Sequence, residues 1–243
     1  MRPRFHLSAL DTAASRGRIS GEEAKHLIRV LRLGTGAEVE VLDGEGRVFR
    51  ARVAEVARAD VQVDLIEPVM AAPEPAVAVT LAMSVLKGDK MDAVVRDATM
   101  MGVTTLQPVV SARSETTRAA LARGQRVPRW QRIALSSIKQ CGRAIAPEIR
   151  PTLTLPDWLR QPRSGAGVVL VEPVAGQGRA MSDVPRQASA ALLVGPEGGW
   201  TAGELAAIQE AGLTPVSLGG RTLRADVAPV AALAALFEAW RAW

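Results

Sequence analysis

One stretch near the C-terminus, LLVGPEGGWTAGE (192–204), constrains the fold of this chain more than any other. An uninterrupted apolar run, Ala190–Val194, leads into a turn that is rich in glycine. Such a run is typical of a strand covered on both faces, as in a parallel sheet, and glycine permits close approaches that a side chain blocks. Thr201 and Glu204 then follow with the spacing of a capping box. The sequence therefore predicts a buried strand, a glycine turn and a helix that starts at Thr201.

A second strand and glycine turn follow directly. Gly212 is placed to end the first helix in a left-handed cap, and Thr214–Leu218 predicts a short strand. Gly219-Gly220 then opens a segment that leads to a last helix from about Val227. Parallel strands end at one edge of a sheet, so the two glycine turns are expected to lie side by side where open α/β folds bind small ligands. Neither turn matches a P-loop or GxGxxG.

The first part of the chain has a different pattern. Glu38–Leu42, Arg47–Val56 and Asp60–Ile66 alternate as strands do, and a helix from Ser20 to about Leu31 interrupts them, with Ser20 as its cap and Glu23 at the box position. The proline-rich stretch Pro68–Pro75 is typical of a linker between domains. We therefore expect a small β-rich domain over 1–72 and an α/β domain over 73–243.

The α/β domain begins with a βαβ unit. Ala76–Leu86 predicts a strand, Met91–Met101 a helix that ends at Gly102, and Thr104–Val110 the next strand. This order implies a parallel sheet. Gly167–Glu172 predicts a further buried strand of that sheet, with Glu172 at its end.

Composition excludes several classes of site. The single cysteine, Cys141, leaves no internal disulfide and no cysteine metal cluster, and the two histidines, His6 and His26, both lie near the N-terminus. A Ser-His-Asp site in the C-terminal part is excluded, and we expect no metal. No apolar run is long enough to span a membrane and no signal peptide opens the chain, so a cytoplasmic protein without a membrane partner is expected.

Positive charge is concentrated in the middle of the chain. Residues 1–70 hold eleven basic and eleven acidic side chains, whereas residues 111–163 hold eleven basic side chains against Glu115, Glu148 and Asp157. Such a segment indicates a phosphate-binding surface for nucleic acid. The alternative is a solvated face in a chain where arginine outnumbers lysine 26 to 4.

The motifs carry a more specific signal. GPEGG followed by an aromatic residue, LGGRTLR, HLIRVLRL, LKGDKMD and MGVTTLQPVVSARS together resemble the RsmE family of SPOUT-class methyltransferases, which make N3-methyluridine in 16S ribosomal RNA. The resemblance implies an α/β fold with a SPOUT-type parallel sheet and a trefoil knot, preceded by a PUA-like barrel that binds RNA. It also implies S-adenosyl-L-methionine (SAM) in the knot loops and a homodimer through the last helix, where Val230, Leu233, Phe237 and Trp240 recur at helical spacing.

The resemblance and the glycine turns together assign the candidate site. The expected cofactor contacts are Glu172, Val194, Gly195, Pro196, Glu197, Gly198, Gly199, Leu218, Gly219 and Leu223. The expected catalytic residues are Arg221 and Arg224, because arginine stays charged and presents forked donors to a uridine anion. The expected RNA contacts are Arg29, Arg32, Arg113, Arg118, Arg123, Arg126, Arg129 and Arg143.

Three of these positions have two interpretations. Asp226 either orients Arg224 or accepts a proton, or it caps the last helix. Glu197 either places a charge near the sulfonium or braces the glycine turn. Arg143 either contacts RNA or complements the dipole at a helix C-terminus.

The chain departs from the family pattern at two places. Asp97 and Met100 stand where the family commonly has Lys and Glu, so neither is assigned a site role. Ala225-Asp226-Val227 stands where the family commonly has Thr-Glu-Thr, and this departure weakens the hypothesis that a carboxylate at this place is the general base.

The leading hypothesis is SAM-dependent N3-methylation of a ribosomal uridine, with 16S ribosomal RNA or the small subunit as partner. A SPOUT methyltransferase acting on another RNA site, such as a ribose 2′-OH, is the second enzyme hypothesis. A ribosome-assembly factor that binds RNA without catalysis is the third.

Overall fold

The computed structural model describes residues 2–116, 126–173 and 178–243. It divides into two compact units, each with its own core. The N-terminal unit comprises residues 1–73 and 135–146, and the C-terminal unit comprises residues 74–134 and 147–243. Residues 135–146 therefore group with the N-terminal unit, although the sequence placed them in the second domain, because Ile138 and Ala144 pack with Leu42 and Val48.

The N-terminal unit is built on a six-stranded sheet in the order β1-β4-β5-β6-β3-β2. Its strands are β1 (Arg4–His6), β2 (Ala9–Asp11), β3 (Arg16–Ser20), β4 (Glu38–Leu42), β5 (Val48–Val56) and β6 (Asp60–Pro68). The β1–β4 pair is parallel and the other pairs are antiparallel. Alternate residues such as Val61 and Val63 of β6 are fully buried, which is the pattern that the alternating sequence predicts.

The helix of this unit differs from its prediction. Helix α1 spans Gly21–Lys25 and continues into a π-helical turn over His26–Val30. Ser20 makes no side-chain cap bond, so the predicted capping box is wrong. The Glu23 carboxylate is engaged elsewhere: it accepts from the backbone N–H of His6 at 3.0 Å and from Lys139 Nζ at 2.6 Å.

The C-terminal unit contains a parallel sheet in the order β10-β8-β7-β12-β11-β13, with β9 paired to β8. Its strands are β7 (Ala78–Ser84), β8 (Thr105–Val110), β9 (Glu148–Ile149), β10 (Leu153–Thr154), β11 (Ala166–Leu170), β12 (Ser189–Val194) and β13 (Thr214–Val216). In the described residues after β7 the α-helices are α2 (Lys90–Met101), α3 (Arg126–Cys141), α4 (Leu155–Leu159), α5 (Ala202–Glu210) and α6 (Ala228–Trp240), and of α3 only residues 126–134 belong to this unit. The predicted parallel α/β sheet is confirmed.

Burial on both faces explains the apolar run in β12. Leu192 belongs to one core cluster and Leu193 to another, and both are fully buried. One expectation needs correction: β12 and β13 are not neighbours, because β11 lies between them and pairs with both. The trefoil knot stays a prediction. None of the helices in the described part of the chain combines the length with the apolar composition of a membrane-spanning segment.

Candidate cofactor and RNA-binding sites

A cavity of about 310 Å³ opens where strands β11, β12 and β13 end. Three loops, one after each strand, supply most of its lining, and Arg113 of the loop after β8 adds to it. The expected cofactor residues that line it are Glu172, Val194, Gly195, Pro196, Glu197, Gly198, Gly199, Leu218 and Leu223. Gly219 lies outside this lining, and of the two expected catalytic arginines only Arg221 belongs to it. The parallel topology thus brings most of the sequence-predicted cofactor residues around one cavity.

A tight turn forms the central loop of this cavity. The Gly199 N–H donates to the carbonyl of Pro196 at 3.0 Å, and Gly199 has a φ of +66°, a left-handed conformation that favours glycine. A Cβ on Gly195 would lie 3.0 Å from the ring of Trp200. The glycines therefore let the backbone turn tightly against the indole.

Trp200 was not among the predicted site residues, yet it lines the cavity. Its Nε1–H donates to the carbonyl of Leu170, the last residue of β11, at 3.0 Å. The indole therefore fastens the loop after β12 to the end of the neighbouring strand. The aromatic residue after GPEGG could have indicated that Trp200 belongs to the site. The sequence does not predict that its partner is the Leu170 carbonyl at the end of β11.

The predicted capping box at the start of α5 is confirmed. The Thr201 hydroxyl accepts from the Glu204 N–H at 3.2 Å, and the Glu204 carboxylate accepts from the Thr201 N–H at 2.9 Å. These bonds fix the point at which the glycine turn becomes a helix. Gly212, with a φ of +82°, follows the helix as predicted.

Glu197 faces a cation. Lys90 Nζ, at the start of α2, lies 3.0 Å from Glu197 Oε1. This pair ties the glycine turn to the helix after β7, which supports the bracing interpretation of Glu197. Glu197 also lines the cavity.

The loop after β13 holds the two candidate catalytic arginines. Arg224 donates from Nε and Nη2 to the two carboxylate oxygens of Asp226, each at 3.1 Å. Helix α6 begins with Val227 at its N-cap position and without a side-chain cap bond. The capping interpretation of Asp226 is therefore wrong, because Arg224 engages the carboxylate instead.

The expected RNA-binding arginines have different environments in the described part of the chain. Arg118 and Arg123 lie outside the described residues, and Arg143 is only 3% exposed. Arg129 donates from Nε to Asp92 at 2.8 Å, and this hydrogen bond raises the pKa of its guanidinium. Arg126 is half-buried at the start of α3.

Arg29 and Arg32 lie on the N-terminal unit and are exposed. Arg32 adopts a φ of +52°, which is uncommon outside glycine. Val30 beside them is 65% exposed. A shallow cavity of about 460 Å³ opens here, and it is lined by Lys25, His26, Arg29 and Lys139 together with Glu22 and Glu23, which pair with the two lysines. The sequence did not predict this cavity, because the π-helical turn that shapes it has no sequence signal.

The comparisons with known proteins agree with this architecture. A family model described as an RNA methyltransferase domain matches residues 73–237, and one described as an RNA methyltransferase PUA domain matches residues 19–66. The ribosomal RNA small subunit methyltransferase E of Synechocystis sp. is 36% identical over 216 residues, which cover 86% of this chain and 68% of that protein. The Aquifex aeolicus protein of the same name is 31% identical over 218 residues, covering 89% of this chain and 91% of that protein.

Solved structures give the same result. A ribosomal RNA small subunit methyltransferase E from Neisseria gonorrhoeae, bound to S-adenosyl methionine, superposes with a TM-score of 0.89 at 29% identity, covering 99% of this chain and 98% of that chain. A methyltransferase from Legionella pneumophila in complex with SAM superposes with a TM-score of 0.90 at 25% identity, covering 98% of each chain. The PUA-like fold of the N-terminal unit and the SPOUT-type fold of the C-terminal unit are thereby confirmed.

Proposed function

This chain belongs to the RsmE family of ribosomal RNA small subunit methyltransferases, and from that premise we propose that it transfers a methyl group from SAM to N3 of a uridine in 16S ribosomal RNA. The observation that carries the proposal is the cavity at the ends of β11, β12 and β13. We assign RNA binding to residues 1–72 and methyl transfer to residues 73–243. The substrate implies a cytoplasmic enzyme, and the family implies a homodimer.

The cavity suits SAM in size and lining. Its volume of about 310 Å³ is at the lower end of the range of ligand pockets, which is roughly 300–1,000 Å³. Glycine at 195, 198 and 199 keeps this part of the lining free of side chains, so that the backbone can approach a ligand closely, while Trp200 and Leu218 supply apolar surface. Glu172 lines the cavity and can place a negative charge near a sulfonium, whereas the Glu197 carboxylate is already paired with Lys90. The residues present therefore fit the cofactor that two structural relatives contain.

When bound, SAM supplies an electrophilic methyl group. The protein's own contribution is positioning and electrostatic stabilisation. Nucleophilic attack by uridine N3 requires loss of the N3–H proton, which leaves negative charge on the base. Arg221 lines the cavity and Arg224 follows it in the same loop, so both guanidinium groups can stabilise that charge.

Two surfaces support an RNA substrate. The exposed Arg29 and Arg32 flank the apolar Val30 on the PUA-like unit, which suits contacts to phosphates and to bases. The basic segment 111–163 supplies further cations, among them the exposed Arg129 and Arg132 of the C-terminal unit. Phosphate contacts of this kind position the RNA but do not select the target nucleotide.

Mapping the methylated nucleotide tests the proposal. Purified protein, SAM and unmodified 16S ribosomal RNA, or the small subunit that contains it, are incubated together, and the RNA is digested to nucleosides. We expect one N3-methyluridine that is absent when SAM is omitted. Methylation of a ribose 2′-OH would overturn the assignment of N3, and RNA binding without SAM binding would indicate a non-catalytic assembly factor.

A further inference from the structure

A short turn after β8 is anchored on the end of the neighbouring strand. The Ser111 hydroxyl accepts from the hydroxyl of Ser84, the last residue of β7, at 3.2 Å, and both residues are buried. Within the turn, the Ser114 N–H donates to the Ser111 carbonyl at 3.1 Å and the Ser114 hydroxyl accepts from the Ser111 N–H at 3.1 Å. The residues between them are therefore held by the sheet itself.

Arg113 lies in this turn and reaches the glycine loop of the cavity. Its Nη1 donates to the carbonyl of Gly198 at 2.6 Å. Its aliphatic stem lies over the same glycine: a Cβ on Gly198 would be 3.2 Å from Arg113 Cβ and 3.3 Å from Arg113 Cδ. Arg113 also lines the cavity. Both ends of its side chain therefore contact one peptide unit of the predicted cofactor loop.

The residue before Arg113 fastens the same loop at its other end. The Ala112 N–H donates to Glu204 Oε1 at 2.7 Å. The other oxygen of that carboxylate accepts from the Thr201 N–H in the capping box of α5. Two successive residues of the Ser111–Ser114 turn thus hold the glycine loop and the helix start that follows it.

The contact between the Ser111–Ser114 turn and the glycine loop depends on the order of the strands in the sheet. Strands β8 and β12 are separated by β7, so the Ser111–Ser114 turn crosses the end of β7 to reach the loop after β12. Among the described residues, no backbone hydrogen bond joins these two loops directly. The charge-assisted hydrogen bond of Arg113 is therefore a separate restraint on the conformation of the Pro196–Gly199 turn.

We propose that Arg113 is a positioning residue for the cofactor loop: it holds the Gly198 carbonyl and so pre-organises the Pro196–Gly199 turn for SAM. The inference rests on the proposed function, since it presumes that SAM occupies this cavity. The inference also removes Arg113 from the expected RNA contacts, because the Arg113 guanidinium already donates to the Gly198 carbonyl. Loss of Arg113 therefore changes SAM affinity, whereas a phosphate contact would change RNA affinity.

The test compares Arg113→Met with Arg132→Met. Methionine keeps an aliphatic stem and removes the donor. Arg132 is a matched control, because it is exposed, lies in the same basic segment and donates to the Pro128 carbonyl of its own helix. SAM binding is measured by calorimetry without RNA, RNA binding is measured across salt concentrations, and melting curves confirm that each variant is folded.

We expect Arg113→Met to weaken SAM binding about tenfold, as for loss of one exposed hydrogen bond to a charged group. The KM for SAM should rise similarly, while kcat at saturating SAM and the RNA salt dependence stay close to wild type. Arg113→Lys, which keeps charge and a donor, should lie between wild type and Arg113→Met. Arg132→Met should leave SAM affinity unchanged.

The opposite pattern would overturn the inference. Unchanged SAM affinity in folded Arg113→Met, with weaker RNA binding and a shallower salt dependence, would return Arg113 to the RNA contacts. An equal loss of SAM affinity in Arg132→Met would show that removing any positive charge from this basic segment weakens SAM binding. If wild-type protein itself failed to bind SAM, the proposed function would fail first, which keeps the two failures distinguishable.

Discussion

Arg224 and Asp226 form a two-point ion pair in the loop after β13, with Nε and Nη2 each 3.1 Å from a carboxylate oxygen. The arginine side chain is 73% exposed and the aspartate side chain 22% exposed. Exposed pairs contribute only about 0–1 kcal/mol to stability. The arrangement therefore orients a guanidinium at the surface beside the cavity more than it stabilises the fold.

The first prediction follows from this pair. Arg224→Ala should lower the methylation rate at saturating RNA and SAM by on the order of 100-fold, the typical cost of losing one donor that stabilises transition-state charge. Its melting temperature and RNA affinity should stay near wild type, because the lost pair is exposed. Asp226→Asn, which keeps the shape and removes the charge that orients Arg224, should cause a smaller loss. A near-normal rate in folded Arg224→Ala would remove this residue from catalysis.

The second prediction concerns Gly195. Gly195→Val should abolish SAM binding, because even a Cβ at this position would lie 3.0 Å from Trp200 and the larger side chain must displace the indole from the cavity wall. Calorimetry with SAM measures the loss, and circular dichroism checks the fold. Gly203→Ala is the control, since the added Cβ would meet nothing within 4 Å and alanine favours a helix. Wild-type SAM affinity in folded Gly195→Val would place the cofactor elsewhere.

The third prediction concerns Gly219. This glycine has a φ of +81°, and a Cβ there would meet nothing within 4 Å. Gly219→Val should therefore impair SAM binding through backbone strain in the loop after β13, not through a clash. Gly220→Ala, at a neighbouring glycine without positive φ and also in open space, is the matched control. Equal SAM affinities for the two variants would contradict the strain argument.

The fourth prediction separates two kinds of arginine on the RNA side. Arg32→Ala should weaken RNA binding and lower the slope of log K against log salt by roughly 0.7–0.9, as for one lost phosphate contact. Arg129→Ala should lower the slope less, because Asp92 already pairs with the Arg129 guanidinium at 2.8 Å. Filter binding at several salt concentrations measures both. A larger change for Arg129 would show that RNA displaces its carboxylate partner.

The fifth prediction is the homodimer. The sequence attributed it to the apolar stripe of the last helix, but Leu233, Phe237 and Trp240 are at most 2% exposed within the single chain. These three stripe residues are core and the fourth, Val230, is half-buried, so the most exposed apolar side chains at the ends of α6 are Val227, 48% exposed, and Trp243, 62% exposed. Light scattering should give a dimer mass at micromolar concentration, and Val227→Glu should shift it towards the monomer. A monomeric wild-type protein would contradict the dimer.

Local signals in the sequence were enough for much of the fold. The apolar run of β12, the capping box at Thr201 and the glycine after α2 each specify their own conformation through nearby residues, and the structure shows all three as predicted. The failures came where a side chain has a distant partner. Glu23 binds Lys139 instead of completing a cap.

The sequence by itself determined that two strand ends run into glycine turns, because apolar continuity and glycine placement are written in consecutive residues. Only the tertiary structure decided what surrounds those turns. Strand β11 lies between β12 and β13, Trp200 donates to the end of β11, and Arg113 crosses the end of β7 to hold Gly198. These contacts join residues that are far apart in the chain, and strand order brings them together. Periodicity and capping cannot specify that order, because both act over a few residues only.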